Sequence, residues 1–478
     1  MLQPPQDRLV APWGGTAKAE RCARMGAVLP VLLAIVITNV LACSDREARV
    51  SHLALAKDAI PAVAVSGAPS STPFTEAERR DKDIETYASA SALDPYSAHF
   101  HSQLAMRYLQ RGRERGSQAD VANAEREARA SLARRTQNNG AAFATLLEVL
   151  MEQHRFAEAG NVGRQLVAGN PDEPAYQAML GEVELELGNY DAATKAFAAV
   201  ATQRTSLAIT TRLARLAEIR GDTTLARTLF YLAAKNAQLE GTMPSEQRAW
   251  FQLRVGDYEL RHGALLRADS ALQRGLQSSP QDHRLLSAMA RLRAVQHDWR
   301  GTIEFGDQAI AQVLDPATVG LVADAYAALG DTAKSAEYFH AMQIAVPREA
   351  GAYHRAWSLY LLDHGLRYAD VYGNVRQELH TRHDIYGYDM LGWTLYKLGR
   401  FTEARVEMQR AMAQGTQDAQ FFFHAGMIER ALGNSAAATT LLTRALAVNP
   451  SFDPTHPALA RFVLDSLGRE MGGLASGK

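Results

Sequence analysis

The chain has almost no cysteine. Only Cys22 and Cys43 occur in 478 residues, which excludes a disulfide framework and a structural zinc site, because both need more bridges or more ligands. It also lacks an excess of either charge. Lysine and arginine number 51 against 52 acidic residues, a formal net charge of −1. A nucleic-acid binder needs a basic excess on one face, so that class is set aside. Long apolar runs are absent except for Gly26–Ala42, 17 residues without a charge.

Catalytic signatures are equally scarce. No serine nucleophile elbow occurs. "GGLASGK" at 472–478 has the spacing of a phosphate loop but no preceding strand and no Ser or Thr after the lysine, so it reads as a flexible tail. "HTRHD" sets His380 and His383 three apart beside Asp384. Two histidines on one helical face could begin a metal site. The simpler reading is an exposed helix end, where imidazoles complement the dipole. We expect no catalysis, no cofactor and no metal.

What is present begins at the N-terminus. Residues 1–25 carry Arg8, Lys18, Arg21 and Arg24 against Asp7 and Glu20. The apolar run follows and stops at Cys43. A basic segment, a short apolar core and small residues at its end make a secretory signal. At 17 residues, with Pro30, Thr38 and Asn39 inside, the run is marginal as a permanent span. Val40-Leu41-Ala42-Cys43 resembles the lipobox of bacterial lipoproteins. The resemblance implies cleavage before Cys43, lipid on its thiol and a membrane anchor. Ser44 after the cysteine, rather than Asp, implies the outer membrane facing the periplasm. The expected domains are therefore a signal peptide at 1–42 and a flexible tether at 43–73, whose "AVAVSGAPSSTP" has no helical period.

Order is expected from Phe74. Thr75 and Glu78 have the spacing of a capping box, with Phe74 as its staple. Beyond it the chain repeats. Turn glycines recur at Gly330, Gly365, Gly399 and Gly433, spaced 35, 34 and 34. Gly188 and Gly221 are 33 apart, and Gly263 and His297 continue the beat. A tiny residue comes seven before many of these turns (Gly181, Gly256, Gly392, Gly426). A small one follows five after (Ala193, Ala268, Ala404, Ala438), and a large one four later (Phe197, Leu272, Met408, Leu442). Glycine supplies the left-handed cap between two helices. The small residues let the axes approach, and the large residue is expected to plug the gap against the neighbouring pair.

This pattern resembles the tetratricopeptide repeat. The match is clearest in Tyr388, Leu391-Gly392, Gly399-Arg400-Phe401, Ala404, Met408 and Ala411, and in Leu180-Gly181, Gly188-Asn189-Tyr190, Ala193 and Phe197. The expected fold is all-α: a right-handed α-solenoid of about ten such hairpins. An N-terminal capping helix and degenerate repeat occupy 74–139, the solenoid proper 140–452, and a C-terminal capping helix and tail 453–478. "RGRERGSQAD" is expected as a long charged turn. "GTMPSEQR" (Gly241–Arg248) is expected as an insertion. Trp357, standing where a tiny residue belongs, should splay its helix pair.

Such solenoids present their first helices along a concave surface. The resemblance implies a protein or peptide partner in that groove. The candidate side chains are Tyr386, Trp393, Tyr396, Phe423, Met427 and Arg430, flanked by His354 and Arg355, since aromatic and arginine side chains dominate interfaces. The alternative is that they are core. Arg212, Arg215, Arg254, Arg261, Arg284 and Arg291 enrich the groove in guanidinium, which binds carboxylates in a bidentate way. The expected function is a membrane-tethered scaffold of the bacterial cell envelope. The alternatives are an accessory subunit of an export or polysaccharide machine, a metal enzyme built on "HTRHD", or a cytosolic regulatory module if the start lies downstream. The oligomeric state is open.

Overall fold

The computed structural model describes residues 74–200, 202, 206–345 and 355–476. The expected signal peptide and tether, Cys43 and His354 all lie outside the described residues. Among the described residues there are twenty-two helices and no strand. The first six are α1 (Glu76–Leu93), α2 (Ala98–Arg115), α3 (Gln118–Arg134), α4 (Gly140–Glu152), α5 (Phe156–Gly169) and α6 (Pro174–Leu187). Then come α7 (Tyr190–Val200), α8 (Leu207–Ile219), α9 (Thr223–Leu239), α10 (Ser245–Arg261), α11 (Leu265–Ser278) and α12 (His283–Val295). They continue as α13 (Trp299–Gln312), α14 (Pro316–Ala328), α15 (Thr332–Ala345), α16 (Arg355–Asp363) and α17 (Tyr368–Glu378). The last five are α18 (Ile385–Lys397), α19 (Phe401–Met412), α20 (Ala419–Ala431), α21 (Ser435–Val448) and α22 (His456–Ser476).

From α2 onward consecutive helices pack as hairpins, even-numbered with the following odd-numbered, and α22 closes the stack. The first helices also touch from one hairpin to the next: α6 on α8, α10 on α12, α18 on α20. An α-solenoid results, as expected.

Local chemistry explains the elements. Thr75 Oγ1 accepts from the Glu78 amide at 3.2 Å and Glu78 Oε2 accepts from the Thr75 amide at 2.8 Å, so the capping box starts α1. Phe74, however, is exposed, with Lys82 over its ring, and does not act as a buried staple. At Gly399 the left-handed cap forms as expected: φ is +76°, and the amides of Gly399 and Arg400 return to the carbonyls of Tyr396 and Leu395 at 2.9 Å each.

The tiny and large positions meet, but within a hairpin rather than between neighbours. A Cβ on Gly181 would lie 2.8 Å from Phe197, on Gly392 2.9 Å from the Met408 sulfur, and on Gly426 2.8 Å from Leu442. The large side chain of each second helix therefore fills the notch left by the tiny residue of its own first helix. Close packing tolerates no added methyl there.

Two further expectations change and one is met. "RGRER" is not a turn: it ends α2, and only Gly116 and Ser117 link α2 to α3. The helix of α22 continues through Ser476 rather than ending in a tail. The Trp357 indole is buried, and α16 and α17 pack less closely than the other pairs, as its bulk predicts.

The largest departure is that the chain returns on itself. His383 N donates to Leu187 O at 2.8 Å, and Ile385 N donates to the Tyr190 hydroxyl at 2.8 Å across 195 residues. The buried Arg382 Nε donates to Glu186 O at 2.9 Å, and its guanidinium also pairs with the Glu186 carboxylate. Asn449 Nδ2, fully buried, donates to Leu260 O and Arg261 O at 2.9 and 3.1 Å. Ser245 N donates to Glu76 Oε2 at 3.1 Å across 169 residues. Contacts at these separations, about five to six repeat units, mean that one superhelical turn lies on the next along a seam. The "HTRHD" segment, considered above as a possible metal site, is part of that seam. The "GTMPSEQR" insertion supplies Ser245 to it.

Candidate partner-binding surface

The first helices carry a ladder of ion pairs from one hairpin to the next. Arg212 of α8 meets Glu182 of α6 at 2.8 Å, and Arg215 meets Glu186. Arg261 of α10 meets Glu218 of α8 at 2.8 Å; Arg284 and Arg291 of α12 meet Glu246 and Asp257 of α10 at 2.5 and 2.9 Å. The guanidinium row expected from sequence is thus mostly neutralised by carboxylates one unit back. Burial opposes the Glu186 charge, but Arg215, Arg382 and Arg355 outweigh it and hold its carboxyl at about 2. Glu218 is likewise held below the usual range, against burial, by Arg261. These carboxylates are ionised at any physiological pH, so the ladder is structural.

Tyr386, on α18 of the second turn, packs its ring edge-on to Phe421 of α20 at 5.7 Å. Burial, then the nearby Glu218, pushes its phenol up to about 12, while Arg261 and Arg215 act against the rise. The two turns meet at one carboxylate: Arg215 of α8 and Arg382, just before α18, both pair with Glu186 of α6. Arg355 stacks over the Tyr386 ring at 5.8 Å and pairs with Asp384 at 2.6 Å and Glu378 at 3.0 Å. Tyr386 and Arg355 are therefore brought together at the inner face.

The other expected groove residues go elsewhere. Trp393 is 2% exposed, Phe423 0% and Met427 9%. This corrects their assignment as groove side chains. Trp393 stacks on Tyr396 at 4.7 Å and on His424 at 4.1 Å, and its Nε1 donates to Asp363 Oδ1 at 2.8 Å. Phe423 stacks on His456 of α22 at 4.5 Å. They are core because α22 lies over them, hiding the aromatic face that a free solenoid end would expose. Tyr396, stacked on Trp393, is half-buried, as is Arg430. Among the described residues no three His, Cys, Asp or Glu side chains are grouped to hold a metal ion. No helix among them is long and apolar enough to cross a membrane.

The α22 cap depends on charge. His456 Nε2 lies 3.6 Å from Asp363 Oδ1, and its Nδ1 lies 3.7 Å from Asp453. Lys397 Nζ is 3.5 Å from Asp363, and His424 Nδ1 bonds Asp389 at 2.8 Å. Burial disfavours the imidazolium, but Asp363 and Asp453 outweigh it and raise the His456 pKa. Burial likewise opposes the Asp363 charge, yet His456 and Trp393 hold it at about 2. A raised histidine pKa stabilises fully below the unfolded value near 6.5 and is lost as pH rises through the folded value. A depressed aspartate stabilises above its unfolded value near 4 and is lost toward pH 2. Amide exchange in α22 is therefore expected to be slowest between about pH 4 and 6.5 after correction for intrinsic rates, and to accelerate as the pH climbs further. In His456→Gln the alkaline acceleration should vanish; an unchanged profile would show that this imidazole does not hold the cap.

Sequence reasoning missed the seam residues Glu186, Tyr190, Arg382 and Asn449. It also missed that one inner arginine, Arg254, differs from the rest. The only sequence signal for the seam is the repeat period combined with superhelical pitch, and no residue type marks it.

A tetratricopeptide-repeat profile matches residues 144–207, 178–240 and 390–454. Those stretches carry tetratricopeptide repeats. No curated protein matches the sequence. Solved structures with similar folds include PilW, a type IV pilus biogenesis factor, at 17% identity and TM-score 0.31, covering 53% of this chain and 96% of that one. Another is the Naa15/Naa10 complex bound to HypK-THB, at 14% identity and TM-score 0.28, over 80% of this chain and 63% of that one. A third is the APC/C hetero-tetramer Cut9-Hcn1, at 12% identity and TM-score 0.31, over 82% and 93%. At these identities the likeness concerns fold alone.

Proposed function

We propose that this protein is a non-catalytic scaffold that holds a protein partner at the inner face of its solenoid and is tethered to a bacterial membrane through Cys43. The observation that carries the binding half is the row of Arg and Glu side chains along successive first helices, joined by Arg382 of the second turn at Glu186. Repeat proteins bind along such concave faces. The tether half rests on sequence: the charge-free run Gly26–Ala42 ending in Val40-Leu41-Ala42-Cys43. Lipid on that thiol would anchor by acyl-chain burial, at about 0.8 kcal/mol per methylene.

The test is expression of the full chain and Cys43→Ser in a bacterial host fed labelled palmitate, followed by fractionation and crosslinking. The wild type is expected to take up label, sediment with membranes and crosslink to a partner through the inner face. Cys43→Ser should lose the label and leave the membrane fraction. Equal labelling and sedimentation of both proteins would overturn the tether, and a wild type that crosslinks to nothing would overturn the scaffold.

A further inference from the structure

The seam follows one rule. Each hairpin turn of the first superhelical turn takes the loop that precedes the sixth hairpin further on. Gly116, closing α2, lies against Val313, just before α14. Gly188, closing α6, lies against His383, just before α18. Gly221, closing α8, lies against Gly415 before α20, and Gly263, closing α10, against Asn449 before α22. These four glycines are half-buried, and the loop residues Arg382, Asp384 and Asn449 are buried. The last carbonyls of a helix have no partner within it. Along the seam the loops supply donors to them: His383 N to Leu187 O, and Asn449 Nδ2 to Leu260 O and Arg261 O.

The later hairpins present the same edge uncovered. Gly330, Gly399 and Gly433 have φ of +84°, +76° and +77°, beside +82° and +78° at Gly188 and Gly221. All three are exposed, and among the described residues a Cβ placed on them would meet nothing within 4 Å. Leu187, before Gly188, is 7% exposed, whereas Leu329 and Leu398, in the same position before Gly330 and Gly399, are 48% and 37% exposed. Among the described residues no donor from another hairpin reaches the Leu329 or Leu398 carbonyl. The opposite edge of the molecule is open too: the loops before α2, α4 and α6 expose Tyr96, Arg135 and Asp172. The outer face of α22 exposes Leu459 and Phe462, although a closing helix needs a polar outer face to end a stack in water.

We propose that this open edge receives a second copy of the chain, docked head to tail so that α1 of the copy follows α22 and the superhelix continues. The seam fixes the register. With the copy's α1 next after α22, the rule that seats the loop before α14 on the α2 turn seats the copy's loop before α4 on Gly330. It seats the copy's loop before α6 on Gly365. The charges agree in that register: Asp331, beside Gly330, meets the copy's Arg135, and Arg367, two residues past Gly365, meets the copy's Asp172 and Glu173. All three first-turn residues are exposed, and Arg367 has only a distant pair with Asp370, at 3.8 Å. Leu459 and Phe462 are covered at the same junction. The two contacting surfaces differ, so the contact is heterologous and grows into an open helical row rather than closing as a pair. It needs no bound partner, so its failure leaves the scaffold reading intact.

The test is sedimentation velocity of the purified full chain over a concentration series, in detergent so that the Gly26–Ala42 run does not drive association. Species larger than a dimer are expected to grow with concentration. Arg367→Glu and Asp172→Arg should each weaken this association about tenfold or more, because each sets like charges against one another across the contact. Both positions are exposed, so the thermal midpoint should stay unchanged. Mixing the two variants should restore growth beyond a dimer, since every junction of an alternating row then joins opposite charges. A chain that stays monomeric at all concentrations overturns the proposal. So does a dimer that grows no further and ignores Asp172→Arg, because that contact pairs identical surfaces. A photoreactive benzophenone amino acid in place of Leu329 gives a second reading without any charge variant. In the expressing host it should join two copies through residues 135–139 of the second. A crosslink to a different protein, or from Leu329 to Leu329, would overturn the choice of a second copy in this register.

Discussion

Trp393→Ala is expected to destabilise the C-terminal hairpins by roughly 3–5 kcal/mol, the range for emptying a large aromatic from a packed core. The indole is buried between Tyr396 and His424, so its removal leaves a cavity that neither neighbour can fill without breaking its own stack. It also removes the Nε1 donor from Asp363, which keeps only its more distant cations Lys397 and His456. In a solenoid each hairpin rests on its neighbours, so the loss should stay local at first. Urea denaturation should then split into an early transition for α18–α22 and a later one for the rest. Tyr396→Ala, at a half-buried position, should cost less. If Trp393→Ala instead kept its denaturation midpoint and lost only partner capture, the indole would be a binding residue after all.

Gly221→Ala should open the seam, and Gly399→Ala should not. Both glycines have φ near +77°: +78° at Gly221 and +76° at Gly399. An L side chain there carries a left-handed penalty of about 1–2 kcal/mol, common to both. The difference is what the new Cβ meets. At Gly399 nothing lies within 4 Å, whereas at Gly221 the Gly415 carbonyl oxygen of the second turn lies at 2.2 Å. That oxygen belongs to backbone and cannot rotate away, so the two turns must part. Gly188→Ala meets the backbone of His383 in the same way. The measurement is the radius of gyration by small-angle scattering together with the denaturation midpoint. Gly221→Ala should expand the molecule and lose stability beyond Gly399→Ala by about 2 kcal/mol, in the range of overpacking penalties. Equal behaviour of the two variants would mean that the seam contributes nothing.

The two variants also divide what each level of organisation decides. Local sequence determined the hairpins. Glycine at a fixed beat supplies the left-handed cap, alanine and glycine notches admit the neighbouring helix, and Phe197, Met408 or Leu442 fills the notch. Each of these acts within one unit, so the period exposes them all. The capping box at Thr75 and the closing helix at His456–Ser476 were legible for the same reason: their partners are a few residues away or belong to the same amphipathic pattern.

Only tertiary structure decided which faces meet. Trp393 and Phe423 carry the same helical spacing whether they line a groove or a core, and the helix laid over them made them core. "HTRHD" looks alike as a metal site, a helix end or a clasp; Leu187 and Glu186, nearly two hundred residues away, made it a clasp. The six inner arginines are equivalent in composition. Carboxylates on the preceding hairpin neutralised five of them, and Arg254 packs against the Phe230 and Trp250 rings instead. Hydrophobic periodicity reports burial against the nearest neighbour in sequence, whereas pairing across a superhelical turn depends on the accumulated rotation of about five to six units. No single residue encodes that rotation, because it sums small packing angles along the whole stack.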